Sequence, residues 1–285
     1  MKKEWFIDNK TVKKVLKKHK IYPKKSLGQN FLVNKNILEK IAKVTDMSSK
    51  ETLLEIGAGI GNLTFKLAQE SKKVIAVEKD EKLSRILKQL SQELDIKNIE
   101  VINQDILETE VSLLLSRANK VVGNIPYYIT GRLFRTLFKK RKALPDKIVL
   151  TVQKEVAERI CAEPPKMNLL AVSVQFYGNP EIVARVPKDS FWPTPKVDSA
   201  IVKIAPKKSF LKRISSDFVK KFFKLVRTGF SHPRKQLINN LSSGLNLEKA
   251  AVNKILSENS IDPADRAEAL RIKDWQKLAK SIKLK

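Results

Sequence analysis

Short apolar runs rich in β-branched residues recur through the middle of the chain at 52–56, 73–78, 99–103, 120–124 and 147–152. Their near-continuous apolar character predicts strands covered on both faces. Between them, 61–70, 80–94 and 130–140 place apolar residues in helical rotation and predict amphipathic helices. Strands alternating with helices imply a parallel sheet flanked by helices. After residue 162 the rhythm changes. The apolar stretch 168–177 reads as strand or helix. Residues 181–186 and 200–204 read as strands, and their close spacing predicts antiparallel additions to one sheet edge. From residue 206 only helical periodicity remains, at 216–228, 234–241, 247–257 and 272–282, punctuated by Gly229, Gly244 and Pro263. The expected organisation is a lysine-rich leader over 1–23, an α/β domain over 24–205 and a small all-helical C-terminal domain over 206–285. Pro206-Lys207-Lys208-Ser209 is the expected linker.

Charge adds a partner to this picture. The 285 residues carry a formal net charge of +27, of which residues 1–30 hold +8 and residues 206–285 hold +12. Cationic flanks of this kind favour a polyanion, because each neutralised phosphate releases condensed counterions. Nucleic acid is therefore the expected partner. Apolar runs such as 169–174 are far shorter than the ~18–20 residues of a membrane span. The leader lacks an apolar signal core, and the first arginine is Arg85, which argues against secretory and mitochondrial targeting and leaves the cytoplasm as the expected location. Cys161, His19 and His232 stand apart from one another, so neither a disulfide nor a zinc site is expected.

The chemistry begins at Leu53-Leu54-Glu55-Ile56-Gly57-Ala58-Gly59-Ile60-Gly61, a strand running into a glycine turn and then a helix. Glycines there permit a tight turn and close approach of a ligand to free N–H groups. A dinucleotide fingerprint would need glycine at 62, where Asn stands. The spacing is instead the G-x-G-x-G of Rossmann-like S-adenosylmethionine-dependent methyltransferases. Glu78 ends the second strand, where a carboxylate can accept both ribose hydroxyls, and Asp105 follows the third, where it can accept from an adenine amino group. In such sheets the C-terminal strand ends line one crevice, so Gly57, Glu78 and Asp105 are expected to converge. Asp80 reads as a helix N-cap.

The fourth strand ends in Asn124-Ile125-Pro126-Tyr127, which resembles the Asn-Pro-Pro-Tyr-like tetrapeptides of enzymes that methylate an exocyclic amine. The amine lone pair of adenine is delocalised into the ring. Acceptance of its two N–H bonds by the Asn124 side-chain oxygen and the Ile125 carbonyl favours a pyramidal nitrogen aimed at the methyl group. Pro126 stiffens the turn, Tyr127 offers a stacking face, and Phe191, opening the loop Phe191-Trp192-Pro193-Thr194-Pro195, is expected to close on the other face of a flipped base. Packing is the competing role, expected more of Trp192 than of Phe191.

Together with Pro23-Lys24-Lys25-Ser26-Leu27-Gly28-Gln29-Asn30-Phe31-Leu32, the loop 191–199 and, in the tail, 230–241, Asp262-Pro263 and Arg266-Ala267-Glu268, these motifs resemble the small-subunit rRNA adenine dimethyltransferase family. The resemblance covers nearly the whole chain from Lys24. It implies a class I methyltransferase sheet with a helical C-terminal domain, S-adenosylmethionine as donor and no metal. The implied reaction converts two adjacent adenines near the 3′ end of 16S rRNA to N6,N6-dimethyladenosine. The implied partner is small-subunit rRNA in an assembling 30S particle, engaged by a monomer. By the same resemblance Gln29, Asn30, Leu32, Gly57, Gly59, Glu78, Asp105, Ile106 and Asn124 contact the donor. Asn124, Ile125, Pro126, Tyr127 and Phe191 act at the adenine, and Arg234 and Lys235 contact RNA. Two departures stand out: Pro233 occupies a position usually basic in the family, and the leader is longer and more lysine-rich.

Three other readings compete. A large-subunit rRNA adenine methylase of the macrolide-resistance type shares the donor and target motifs but not the tail. A ribosome-assembly factor with secondary catalysis is compatible with the charge. A nicotinamide-dependent oxidoreductase is disfavoured by Asn62.

Overall fold

The computed structural model describes residues 8–24, 28–125, 129–139 and 144–282. Two compact units result, Met1–Ala157 with Pro180–Pro206, and Glu158–Asn179 with Lys207–Lys285.

The first unit opens with α1 (Asn9–Lys18), β1 (Phe31–Leu32) and α2 (Lys35–Thr45). It continues through β2 (Thr52–Ile56), α3 (Asn62–Ala68), β3 (Lys73–Glu78), α4 (Glu81–Glu93), β4 (Ile99–Asn103), α5 (Val111–Leu115), β5 (Lys120–Asn124), α6 (Thr130–Lys139) and β6 (Lys147–Gln153). In chain order α7 (Lys154–Ile160) and α8 (Leu169–Tyr177) follow, then β7 (Gly178–Val186), β8 (Phe191–Trp192) and β9 (Ser199–Pro206). The main sheet has the order β4-β3-β2-β5-β6-β9-β7. The first five are parallel and β9 lies antiparallel on β6, as the strand spacing predicts. Central strand residues such as Leu53, Leu54, Val74, Ile75, Val121 and Val122 are completely buried, which is why these runs are continuously apolar.

The chain passes from β2 to β3 and β4 on one side, then returns to lay β5 and β6 on the other. The order therefore reverses between β2 and β5, and the crevice for a ligand opens at their C-terminal ends. Ile56 of β2 is level with Val77 of β3 and Gly123 of β5, so the glycine loop, Glu78 and Asn124 leave the sheet at one height.

The leader departs from expectation. Residues 9–18 form a helix whose Val12 and Leu16 are buried in the core of the first unit. The apolar spacing at 12, 15 and 16 is helical, but the surrounding lysines mask it.

In the second unit α8 is joined by α9 (Lys208–Arg213), α10 (Ser216–Gly229), α11 (Leu237–Leu245), α12 (Lys249–Glu258) and α13 (Ile272–Ser281). Residues 168–177 thus resolve as a helix, and they pack with the helical tail. Phe176 meets Phe222 at 4.2 Å and Phe210 at 5.5 Å between ring centroids. A helix apolar on nearly every side has to be surrounded. The stretch 206–209 already enters α9. Gly229 sits where a Cβ would strike Trp275, so the breaker doubles as a packing residue. Among the described residues no helix is long and apolar enough to cross a membrane.

Candidate active site

A cavity of about 160 Å³ opens in the first unit where β2, β3, β4 and β5 end. It is lined by Gly57, Gly59, Glu78, Asp105, Ile106 and Asn124, with Gln29, Asn30 and Leu32 from the N-terminal segment. Residues from five separate sequence motifs therefore meet in one place.

The glycine loop works differently from expectation. Its amides are consumed internally: Gly57 and Ala58 donate to the Val77 carbonyl, Gly61 donates to the Ala58 carbonyl, and Gly59 donates to Glu78 Oε2 at 2.8 Å. The loop shapes space more than it offers donors. At Gly59, φ is +60° and a Cβ would press on the Phe31 ring at 3.3 Å. At Gly61, φ is +101° and a Cβ would lie 2.5 Å from Leu87 Cδ1. Both positions need glycine for steric and conformational reasons.

Glu78 is 8% exposed and receives a second amide, from Asp80, at 2.8 Å. Burial raises its pKa above the usual value, the Asp80 and Gly59 amides oppose that rise, and the Asp80 charge adds to it. Asp80 caps α4, accepting from the Lys82 and Leu83 amides. It also holds Lys24 Nζ at 3.3 Å and Gln29 Nε2 at 3.2 Å. Burial pushes its pKa up, but these bonds outweigh it and the net shift is downward. Gln29 also accepts from the Lys24 amide at 2.8 Å, so its side chain braces the cavity rim.

Asp105 accepts from the Leu107 amide at 2.9 Å and forms an ion pair with Lys79 at 2.7 Å. Burial again raises its pKa, and Lys79 and the Leu107 amide together carry it below the usual value. Asn124 Nδ2 donates to the Asn30 carbonyl at 2.9 Å. That bond fixes which end of the amide is nitrogen and leaves Oδ1 as an acceptor. Ile125 is buried, with its amide donated to the Thr151 carbonyl. Pro126 and Tyr127 lie outside the described residues.

Phe191 differs from expectation. It is 2% exposed, pairs with Leu32 in the antiparallel β1–β8 ribbon and belongs to the hydrophobic cluster of the first unit, not to the cavity lining. A stacking role requires the ring to leave this enclosure. Trp192, the residue more suspected of packing, is the less buried of the two. Arg234 and Lys235 lie in the second unit, in an exposed turn between α10 and α11. Asn240 holds that turn by donating to the Gly229 carbonyl at 2.7 Å and the His232 carbonyl at 3.1 Å.

Three lining residues escape the motif reading. Asn62, where a third fingerprint glycine is missing, donates to the Leu32 carbonyl at 2.6 Å and ties β1 to the glycine loop. Arg132 on α6 adds a positive charge felt by Asp105. Glu55, in the middle of β2, is 1% exposed and burial lifts its pKa to about 8; the Thr64 hydroxyl opposes the rise and Glu78 reinforces it. A lone acid within an apolar strand is the signal that marks it.

The geometry offers a cavity lined by apolar side chains together with the Glu78 and Asp105 carboxylates and the Asn124 amide. Acceptors dominate, so the slot suits a ligand presenting hydroxyl and amino hydrogens, and one with positive charge. Among the described residues no group of three or more His, Cys, Asp or Glu is placed to hold a metal.

The profile of the ribosomal RNA adenine dimethylase family matches residues 20–284. The ribosomal RNA small subunit methyltransferase A of Dehalococcoides mccartyi is 40% identical over 269 residues, spanning 93% of this chain and 90% of that protein. Its counterpart from Alkaliphilus metalliredigens is 38% identical and spans 95% of both chains. Among solved structures, a dimethyladenosine transferase from Plasmodium falciparum superposes with a TM-score of 0.75 at 30% identity, covering 87% of this chain and 95% of that one. The 23S rRNA methyltransferase ErmE shares the fold, with a TM-score of 0.68 at 24% identity over 88% of this chain and 99% of that one.

Proposed function

The chain belongs to the ribosomal RNA adenine dimethylase family, and from that premise we propose that it methylates the N6 amines of two adjacent adenines near the 3′ end of small-subunit rRNA. The product is N6,N6-dimethyladenosine, the donor is S-adenosylmethionine, and the substrate is rRNA within an assembling 30S particle. The protein acts as a monomer in the cytoplasm.

The residues fit the donor. Glu78 presents a buried carboxylate to ribose hydroxyls, and Asp105 presents one to an adenine amino group. The absence of a Cβ at Gly59 keeps the slot open beside Phe31. When bound, the donor supplies an electrophilic methyl group on a sulfonium. Gln29, through Asp80, and Asn62, through Leu32, hold the N-terminal segment over the slot.

Asn124 carries the reading. Its NH₂ is committed to Asn30, so its Oδ1 is pre-aimed and pays no reorganisation when an amine arrives. Oδ1 and the Ile125 carbonyl would accept the two N6–H bonds in the first transfer, and one of them would accept the single N–H that remains in the second, so that the nitrogen lone pair is turned toward the donor. With the donor bound, the N–C bond would form as the S–C bond breaks, and the resulting ammonium, a strong acid, would release its proton to water without a dedicated base. Tyr127 and Phe191 supply stacking faces, the latter after its ring is exposed.

Two assays test this. Calorimetry should show one donor site per chain, lost in Glu78→Ala. Tritium transfer from labelled donor should reach small-subunit particles and spare large-subunit RNA. Incorporation into large-subunit RNA alone would favour the macrolide-resistance type instead.

A further inference from the structure

The family profile begins at residue 20, so α1 lies outside it, yet the helix is built into the first unit. Val12 and Leu16 are 0% and 1% exposed, and they share a hydrophobic cluster with Phe31, Leu32 and Phe191. Asp8 caps the helix through the Thr11 amide at 2.7 Å. Lys13 Nζ stands 5.7 Å from the centre of the Trp192 ring, on the ribbon partner of Phe31. Asn30, the residue before Phe31, is the one that Asn124 holds. A short run of packed contacts therefore links α1 to the lip of the slot.

The outer face of α1 is strongly cationic. Lys10, Lys14, Lys17 and Lys18 are exposed, Lys13 is exposed beside Trp192, and none of the five forms an ion pair within 4 Å among the described residues, the Asp8 cap being the one carboxylate whose charge is coupled to this row, through Lys10. Pairs at 10/14, 13/17 and 14/18 are like charges one turn apart, each destabilising an isolated helix by about 0.2–0.5 kcal/mol. The core tolerates this repulsion without relieving it; a polyanion would relieve it. From Lys10 to Lys17 the helix rises roughly 10 Å, a span matching about three phosphates along one strand of a duplex. A basic amphipathic helix can also lie on a membrane, but that requires a free apolar face. Here that face is already occupied by the core of the unit.

We infer that α1 is a preformed phosphate-binding rail of the first unit, engaging the RNA backbone beside the target adenine. The inference rests on the reading of the site as an rRNA methyltransferase, and it assigns α1 a partner and a position.

The test is a variant with Lys10, Lys14, Lys17 and Lys18 all changed to Gln, leaving Lys13 on Trp192. Affinity for a 3′-terminal small-subunit rRNA hairpin is followed by fluorescence anisotropy between 50 and 200 mM salt. The log–log salt slope should fall by about 2–3, as each lost contact removes roughly 0.7–0.9. Affinity at low salt should drop at least about tenfold, donor affinity by calorimetry should be unchanged, and the Lys→Arg version should restore RNA binding. An unchanged slope overturns the inference. So does a loss that tracks a lowered melting temperature and is not restored by arginine, or a loss confined to vesicles of anionic phospholipid. Binding is read without methyl transfer, so the two readings fail separately. A protein that binds through α1 but transfers no methyl removes only the proposed reaction. Normal transfer with an unchanged slope removes only the rail.

Discussion

Glu55 offers the sharpest test of the electrostatics around the slot. Its carboxyl is 1% exposed in the central strand, and among the described residues Oε2 has no partner within hydrogen-bond geometry, the nearby Thr64 hydroxyl only moderating the effect of burial. Burial lifts its pKa from 4.5 to about 8. In the unfolded chain it ionises at the ordinary value, whereas in the folded protein it stays protonated until the pH nears 8. Its stabilising contribution is complete below pH 4.5, shrinks as the pH rises through the interval, and is gone above about 8. At ~1.4 kcal/mol per pH unit the whole interval amounts to on the order of 4–5 kcal/mol. Glu55→Gln cannot ionise, so it removes this dependence, while the burial cost of its amide is the same at every pH. Urea unfolding of both proteins at pH 5, 6, 7 and 8 reads the effect, because groups not coupled to Glu55 cancel in the difference and the coupled Glu78 belongs to the same buried pair. The variant should gain on the parent by several kcal/mol from pH 5 to pH 8. A difference constant to within about 0.5 kcal/mol would refute a protonated Glu55.

Other perturbations follow from the same geometry. Asn124→Ala should lower the rate of methyl transfer by about 10²–10³-fold, the usual cost of losing one preorganised transition-state contact, with donor affinity changed much less; single-turnover kinetics beside calorimetry reads both. Asp105→Asn keeps an acceptor for Leu107 but loses the charge, and should weaken donor binding roughly tenfold, on the scale of a charge-assisted hydrogen bond. Because Lys79 holds the Asp105 pKa low, donor affinity should show no titration of this group between pH 5 and 8. Gly61→Ala places a methyl against Leu87 and Phe65 at a positive φ and should cost at least about 2 kcal/mol of stability, visible as a lower urea midpoint.

The parallel sheet was legible from the chain because central, buried strands favour near-continuous apolar runs while the edge strand β4, half-buried, keeps Ile99, Val101 and Ile102 among polar residues: 52–56, 73–78, 99–103 and 120–124 are β2 to β5 residue for residue. Glu78, Asp105 and Asn124 could be anticipated because strand ends in such a sheet face one crevice. What stayed hidden depends on tertiary packing. Residues 168–177 carry no directional pattern, so neither their helical state nor their place among Phe210, Phe222 and Phe223 could be read locally. A cut at 206 would strip α8 of the rings that bury Phe176. The helix at 9–18 was obscured by lysines that say nothing of Val12 and Leu16. Arg234 and Lys235 appeared helical, yet Pro233 and the Asn240 clamp keep them in a turn, and α11 starts at Leu237. The burial of Phe191 follows from the β1–β8 pairing of segments some 160 residues apart, which no local pattern encodes.

The central claim, that this slot delivers methyl groups to the N6 of adenines in small-subunit rRNA, is tested most directly by nucleoside mass spectrometry. Small-subunit particles lacking the modification are incubated with the protein and isotopically labelled S-adenosylmethionine, then digested and mapped. Two adjacent adenosines near the 3′ end should each carry two labelled methyls, and none should with the Asn124→Ala protein in the same time. Label on another base, on a ring nitrogen or ribose, or on no nucleoside at all would contradict it.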